Sequence, residues 1–161
     1  MKSNRGSPYI MSVHAVSTRK DENGHFVPKP ARCTLDTGNH QGNFVSKKFL
    51  LKDLEYPESD LLALNSSERN GGISASNQKL IPEAAVKITW YHVGSPRLFR
   101  KMRFLVMSNA QYDLIIGARS IVKHSLLSPP NFGVGVGAVQ YKAETRMSRR
   151  PLTRNSLLTF K

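Results

Sequence analysis

Apolar residues in this chain recur two apart in short runs, and each run is closed by residues that turn the backbone. The first run, "PYIMSVHAVSTRK", alternates Ile10, Ser12, His14 and Val16 with Met11, Val13, Ala15 and Ser17. That period fits an extended strand with two unlike faces. It stops at "DENG", residues 21–24, where Asn23-Gly24 tolerates the positive φ angles of a tight hairpin turn. A second strand then follows in "FVPKPARCTLD". Pro28 and Pro30 donate no backbone N–H, which assigns its first half to a sheet edge or a bulge. The two strands together carry Asp36 to a strand end.

Further along, "NFVSKKFLLKDL" spaces its apolar residues for either a helical turn or another strand, and "ESDLLALNSSERNGG" reads as a loop with a brief apolar knot. "ISASNQKLIPEAAVKITW" predicts a hairpin: Ile73 and Ala75 lead in, residues 76–79 form the tip, and Val86, Ile88 and Trp90 alternate on the returning strand. "LFRKMRFLVMSN" and "YDLIIG" predict two more strands. "ARSIVKHSLL" spaces Ile121, Val122 and Leu126 for a short helix, with Ser120 as a candidate cap. The expected fold is a mostly-β domain over residues 8–127, built from hairpins with one late helix. Pro129-Pro130 separates it from a basic extension over residues 128–161, where Gly133, Gly135 and Gly137 lack the strand-turn-helix context of a phosphate-binding loop.

Charge and cysteine usage narrow the function classes. Twenty-four Lys and Arg face eleven Asp and Glu, and residues 142–161 hold six basic side chains against one acidic. Such a tail is expected to stay solvated or to attract nucleic acid or an acidic partner without sequence preference. Cys33 is the only cysteine, so no intrachain disulfide forms, and its strand setting predicts a buried thiol. The histidines at 14, 25, 40, 92 and 124 have no paired metal spacing, so neither metal nor cofactor is expected. No apolar run approaches the ~20 residues of a membrane span, and "MKSNRGSPYI" has no apolar core of a secretory signal. The expectation is an intracellular protein, cytoplasmic or nuclear, with no membrane contact. "NSS" at residues 65–67 matches a glycosylation acceptor, without consequence in that setting.

The chemistry rests on "CTLDTGNHQGNFVS". Peptide hydrolysis by paired carboxylates needs two Asp side chains close enough to share one proton and hold one water between them. Asp36 supplies one such group at the end of an apolar run. Thr37 supplies a hydroxyl suited to fixing a facing loop, and Gly38 leaves room for the close approach of a second loop.

With "YDLIIGARSIVKHSLL" following later, the chain resembles a retropepsin-like aspartic protease domain of the retroviral and retroelement kind. Phe44-Val45-Ser46 stands where that family has an apolar pair before Ser. Ile115-Ile116-Gly117, 81 residues beyond Asp36, is similar to its second hallmark, an apolar pair and Gly before a short helix. The resemblance implies a closed β-barrel half of an aspartic protease, with Asp36 catalytic, Thr37 and Gly38 supporting its loop, and Ala75, Ser76, Asn77 and Gln78 in a flap over the substrate. Asp21, Asp53, Asp60 and Asp113 are not followed by Thr-Gly or Ser-Gly. One chain therefore holds half a site, and an active enzyme requires a homodimer about a two-fold axis. Asn39 stands where the family usually has Ala, Ser or Thr, and its amide is expected to hydrogen-bond Asp36 or to crowd the pair. Asp113 is expected to cap a turn rather than to serve as the second acid.

Two function classes fit these residues. One is a homodimeric aspartic endopeptidase acting on an extended peptide or a polyprotein. The other is a dimerising module without proteolysis, whose basic tail engages nucleic acid or an acidic partner.

Overall fold

A computed structural model describes residues 9–73, 79–108 and 111–127 of the chain. Residues 75–78, expected in a flap, and the expected basic extension from residue 128 lie outside the described residues. The elements are β1 (Ile10–Lys20), β2 (Phe26–Asp36), β3 (Phe44–Ser46), α1 (Ser66–Arg69), β4 (Gly72–Ile73), β5 (Lys79–Leu80), β6 (Ala84–His92), β7 (Leu98–Met107), β8 (Leu114–Gly117) and α2 (Ala118–Lys123). Six strands close a barrel in the order β1-β2-β8-β3-β7-β6, and β4 pairs β5 in a small separate sheet. The fold is mostly β, as the alternating runs predict.

The β1–β2 hairpin turns where Asn23-Gly24 predicts it. Gly24 adopts φ +80°, and Asp21 Oδ1 accepts the N–H groups of Asn23 and His25, each at 2.9 Å. Pro28 and Pro30 pair with Val16 and His14 of β1, while the other side of β2 meets β8 only from Cys33 onward. The prolines thus occupy the unpaired edge, where a missing N–H costs nothing. A bulge lies beside them between Val16 and Lys20. There the buried Ser17 donates its hydroxyl to the Val27 carbonyl at 2.7 Å.

Val13, Ala15, Cys33, Ile88, Trp90, Phe104, Leu114 and Ile116 are fully or almost fully buried. Trp90 stacks on Phe99 at 4.2 Å between ring centres and donates its indole N–H to Met102 Sδ at 3.4 Å. A second cluster joins Phe44, Ala85, Leu105 and Met107, with Leu64, Leu80 and Ile115 packed against it. Leu105 and Met107 alternate with Phe104 and Val106, so the C-terminal half of β7 is buried on both faces.

Several expectations need correction. The strand returning from the predicted flap hairpin is only β5. After Ile81-Pro82-Glu83 the chain enters β6, which pairs with β7 and β1, so Val86, Ile88 and Trp90 belong to the barrel. "NFVSKKFLLKDL" is both a strand and a helix, β3 followed by a π-helical turn over Phe49–Asp53. The "NSSERN" loop contains α1, whose start is a capping box. Asn65 Oδ1 accepts the Glu68 N–H at 2.9 Å, and Glu68 Oε2 accepts the Asn65 N–H at 2.8 Å. In α2 only Ile121 is buried. Val122 is 79% exposed, and Gly117 rather than Ser120 holds the N-cap position.

Candidate active site

β8 lies between β2, which runs parallel to it, and β3, which runs antiparallel. The chain must pass from one side of β8 to the other within residues 37–43, and this crossing loop carries the Asp-Thr-Gly set over the end of β8. Asp36, the last residue of β2, pairs with Gly117, the last of β8.

The crossing sets the side chain allowed at position 117. A Cβ there would lie 2.4 Å from the Gly42 carbonyl oxygen and 2.9 Å from that of Asn39. Only glycine lets the loop lie this close. Two hydrogen bonds fix the contact: the Ala118 N–H donates to the Asn39 carbonyl at 2.8 Å, and the Gly117 N–H donates to Asn43 Oδ1 at 3.0 Å. Asn43 is buried. Its Nδ2 donates to the Arg103 carbonyl at 3.0 Å, and its own carbonyl accepts the Leu105 N–H at 2.8 Å. One amide side chain therefore links β8, β7 and the foot of the loop in a low-dielectric setting where unmade bonds are costly.

The Asp36 carboxylate is exposed at the top of this support. Its Oδ1 accepts the Gly38 N–H at 3.0 Å, and Oδ2 has no partner among the described residues. Thr37 is exposed, and its hydroxyl has no hydrogen-bond partner among the described residues. Asn39 does not reach the carboxylate through its side chain. Its Nδ2 donates to the Gly42 carbonyl at 2.8 Å and its Oδ1 accepts the Gln41 N–H at 3.0 Å, so the amide is consumed in stapling its own loop. Among the described residues no hydrogen bond joins this amide to the Asp36 carboxylate; its oxygen and one of its two N–H groups serve the loop instead.

Asp113 has a different role from the turn cap expected of it. Its Oδ2 accepts the Arg32 N–H at 2.8 Å and its carbonyl accepts the Ser46 N–H at 3.0 Å, tying the start of β8 to β2 and β3. Burial pushes the Cys33 thiol up to about 12, which leaves it a neutral core group rather than a nucleophile. Among the described residues no group of three or more His, Cys, Asp or Glu side chains is arranged to hold a metal ion. No helix among them is long and apolar enough to cross a membrane.

The base of the β4–β5 hairpin sits against the same loop. Gln41 Nε2 donates to the Leu80 carbonyl at 3.4 Å, and a Cβ on Gly72 would lie 2.5 Å from Gln41 Oε1. Gly71 adopts φ +66°, where a Cβ would also meet the Leu80 carbonyl at 2.5 Å. The hairpin base and the Asp36 loop are thus joined, while Ala75, Ser76, Asn77 and Gln78 lie outside the described residues. No sequence pattern marks Asn43 or Gln41 as site residues. The only local signal for Asn43 is a lone amide directly before the apolar Phe44-Val45.

The sequence matches no protein-family model, and no curated protein matches it. Among solved structures it is similar to a retropepsin-like aspartic protease from Rickettsia conorii, at 14% identity and a TM-score of 0.39. That match covers 71% of this chain and 80% of the other.

Proposed function

We propose that the chain is one half of an aspartic endopeptidase of the retropepsin type, active as a homodimer. The observation that carries this reading is the Asp36 carboxylate. It stands exposed on a braced loop, with Oδ1 engaged by the Gly38 N–H and Oδ2 without a partner among the described residues. Oδ2 is the atom that a two-fold mate's carboxylate or a shared water would meet. The exposed Thr37 hydroxyl is suited to fixing the mate's loop.

In such a pair two carboxylates share one proton, since both cannot ionise at close range. The ionised Asp36 takes a proton from the water, whose oxygen attacks the peptide carbonyl carbon. The protonated Asp36 gives its proton to the carbonyl oxygen. Collapse of the tetrahedral diol breaks the C–N bond, and the nitrogen leaves with a proton returned from the dyad. No metal, cofactor or covalent intermediate is required. The substrate is an extended peptide, for which a retroelement-type polyprotein is one source. Ala75, Ser76, Asn77 and Gln78 are assigned to substrate binding on the resemblance alone. Residues 8–127 constitute the protease domain, and residues 128–161 form a separate basic extension.

The test is cleavage of a mixed-sequence peptide library at mildly acidic pH by the wild-type chain and by Asp36→Asn. The wild type is expected to cut and the variant to be inactive with an unchanged dimer in sedimentation. A wild type that forms the dimer but cuts nothing in the library sinks the enzymatic reading.

A further inference from the structure

The first half of β7 and the C-terminal end of α2 wall a surface groove of about 550 Å3. Arg97, Arg100, Lys101 and Lys123 line it, all four are exposed, and none forms an ion pair among the described residues. Its lining contains no Asp or Glu. Arg103 also borders the groove, but its guanidinium is committed to Glu68.

The backbone brings two of these cations together at a conformational cost. Ile88 pairs with Met102 and Trp90 with Phe99, so the single Thr89 faces both Arg100 and Lys101 in a β-bulge. Lys101 takes φ +48°, a left-handed conformation unfavourable for a residue with a Cβ, and its N–H donates to Thr89 Oγ1 at 3.1 Å. Both residues of the bulge, Arg100 and Lys101, border the groove.

We propose that this groove binds the phosphodiester backbone of a nucleic-acid strand. Unpaired like charges gathered without a carboxylate are the arrangement that condensed phosphates neutralise, with release of their counterions. His124, at the same wall, has its pKa lowered by burial and by the neighbouring Lys123 and Arg97, so the groove already resists a further positive charge. A phosphodiester strand carries one charge per nucleotide along its backbone and meets a row of cations more regularly than the scattered carboxylates of an acidic peptide. Phe99 is buried, stacked inward on Trp90, and offers no platform for a base, so recognition is independent of sequence. This reading does not rest on Asp36, and Asp36→Asn is expected to bind equally well.

The experiment measures binding of a fluorescent oligo-dT strand to the full chain across a salt series. Three proteins are compared: wild type, the double variant Arg100→Gln/Lys123→Gln, and Lys48→Gln/Lys52→Gln, which removes the same charge at exposed positions away from the groove. The segment 142–161 is present in all three, so its contribution cancels. The groove variant is expected to lower the slope of log K against log salt by about 1.4, at about 0.7 per lost phosphate contact, while the control keeps the wild-type slope. Equal slope changes in both variants would reduce the effect to net charge and overturn the proposal. Polyglutamate binding as tightly as oligo-dT, with the same loss in the groove variant, would overturn it in favour of an acidic peptide.

Discussion

Asp36 and Gly117 are parallel-sheet partners at the ends of β2 and β8, and the loop that begins at one is held down on the other. The Asn39 and Gly42 carbonyls occupy the space where a side chain at 117 would stand. The carboxylate's position is therefore set by contact with a residue 81 positions away in sequence.

Gly117→Ala is expected to displace that loop, because the obstructing atoms are backbone carbonyls rather than flexible side-chain ends. Overpacking of this kind costs about 2 kcal/mol, read as a lower denaturant midpoint with an unchanged m-value. Cleavage should fall further than the folded fraction does, since a misplacement of about 1 Å at a catalytic group costs on the order of 100-fold. A variant with wild-type stability and activity would mean the loop does not lie as close as the structure has it.

Because one chain supplies one Asp36, activity should depend on pairing. Wild-type and Asp36→Asn chains mixed in equal amounts and allowed to exchange are expected to show about one quarter of the activity of wild type at the same total chain concentration, since only pairs with two intact carboxylates cut. Retention of half would point to a site complete within one chain. Specific activity should also drop on dilution below the dimer dissociation constant, followed by initial rates over a concentration series.

Glu68 and Arg103 form a two-pronged ion pair, Nε to Oε1 and Nη2 to Oε2, each at 2.8 Å. The Arg103 side-chain hydrogen bonds hold the Glu68 carboxyl below its ordinary value of 4.5, assisted by the Asn65 N–H. A carboxyl with a lowered folded value contributes stability that is complete above 4.5 and lost as pH falls through the folded value. Glu68→Gln should therefore destabilise by about 2 kcal/mol at neutral pH and flatten the decline of the melting temperature below pH 4.5. Parallel melting curves for the two proteins over that acid range would disprove the assignment.

What the sequence made legible was local. Asn23-Gly24 marked a turn through its own conformational tolerance, and the period of two in "IMSVHAVS" placed Val13 and Ala15 in the core without help from distant residues. The strand carrying Cys33 and Leu35 inward, and Asp36 to its end, followed from the same signals. Contacts between distant segments stayed hidden. Nothing around Asn43 predicts that its amide meets Gly117, and nothing around Lys101 predicts a bulge, which lies opposite Thr89 on the partner strand. The alternation of β6 makes the predicted hairpin too long: the pairing of β5 with β4 stops at Leu80, and the strand that carries the alternation begins at Ala84. The Asn65–Glu68 capping box was readable, but a single turn of helix has no apolar period to draw attention to it.

Asn39 is where the sequence and the structure give different grounds for a prediction. The sequence predicts its amide on Asp36 or crowding the dyad. In the structure Nδ2 and Oδ1 are both spent on the Gly42 carbonyl and the Gln41 N–H. Asn39→Ala should then act as the loss of a loop staple, lowering stability by about 1 kcal/mol for a half-exposed pair of hydrogen bonds. kcat should fall through looser placement of the carboxylate, while the pH–rate profile keeps its shape because no hydrogen bond to the dyad has been removed. Asn39→Asp retains an acceptor for Gln41 but loses the donor to Gly42, and should recover part of the stability only. A profile shifted along the pH axis in Asn39→Ala would instead show that the amide reaches the paired carboxylates in the dimer.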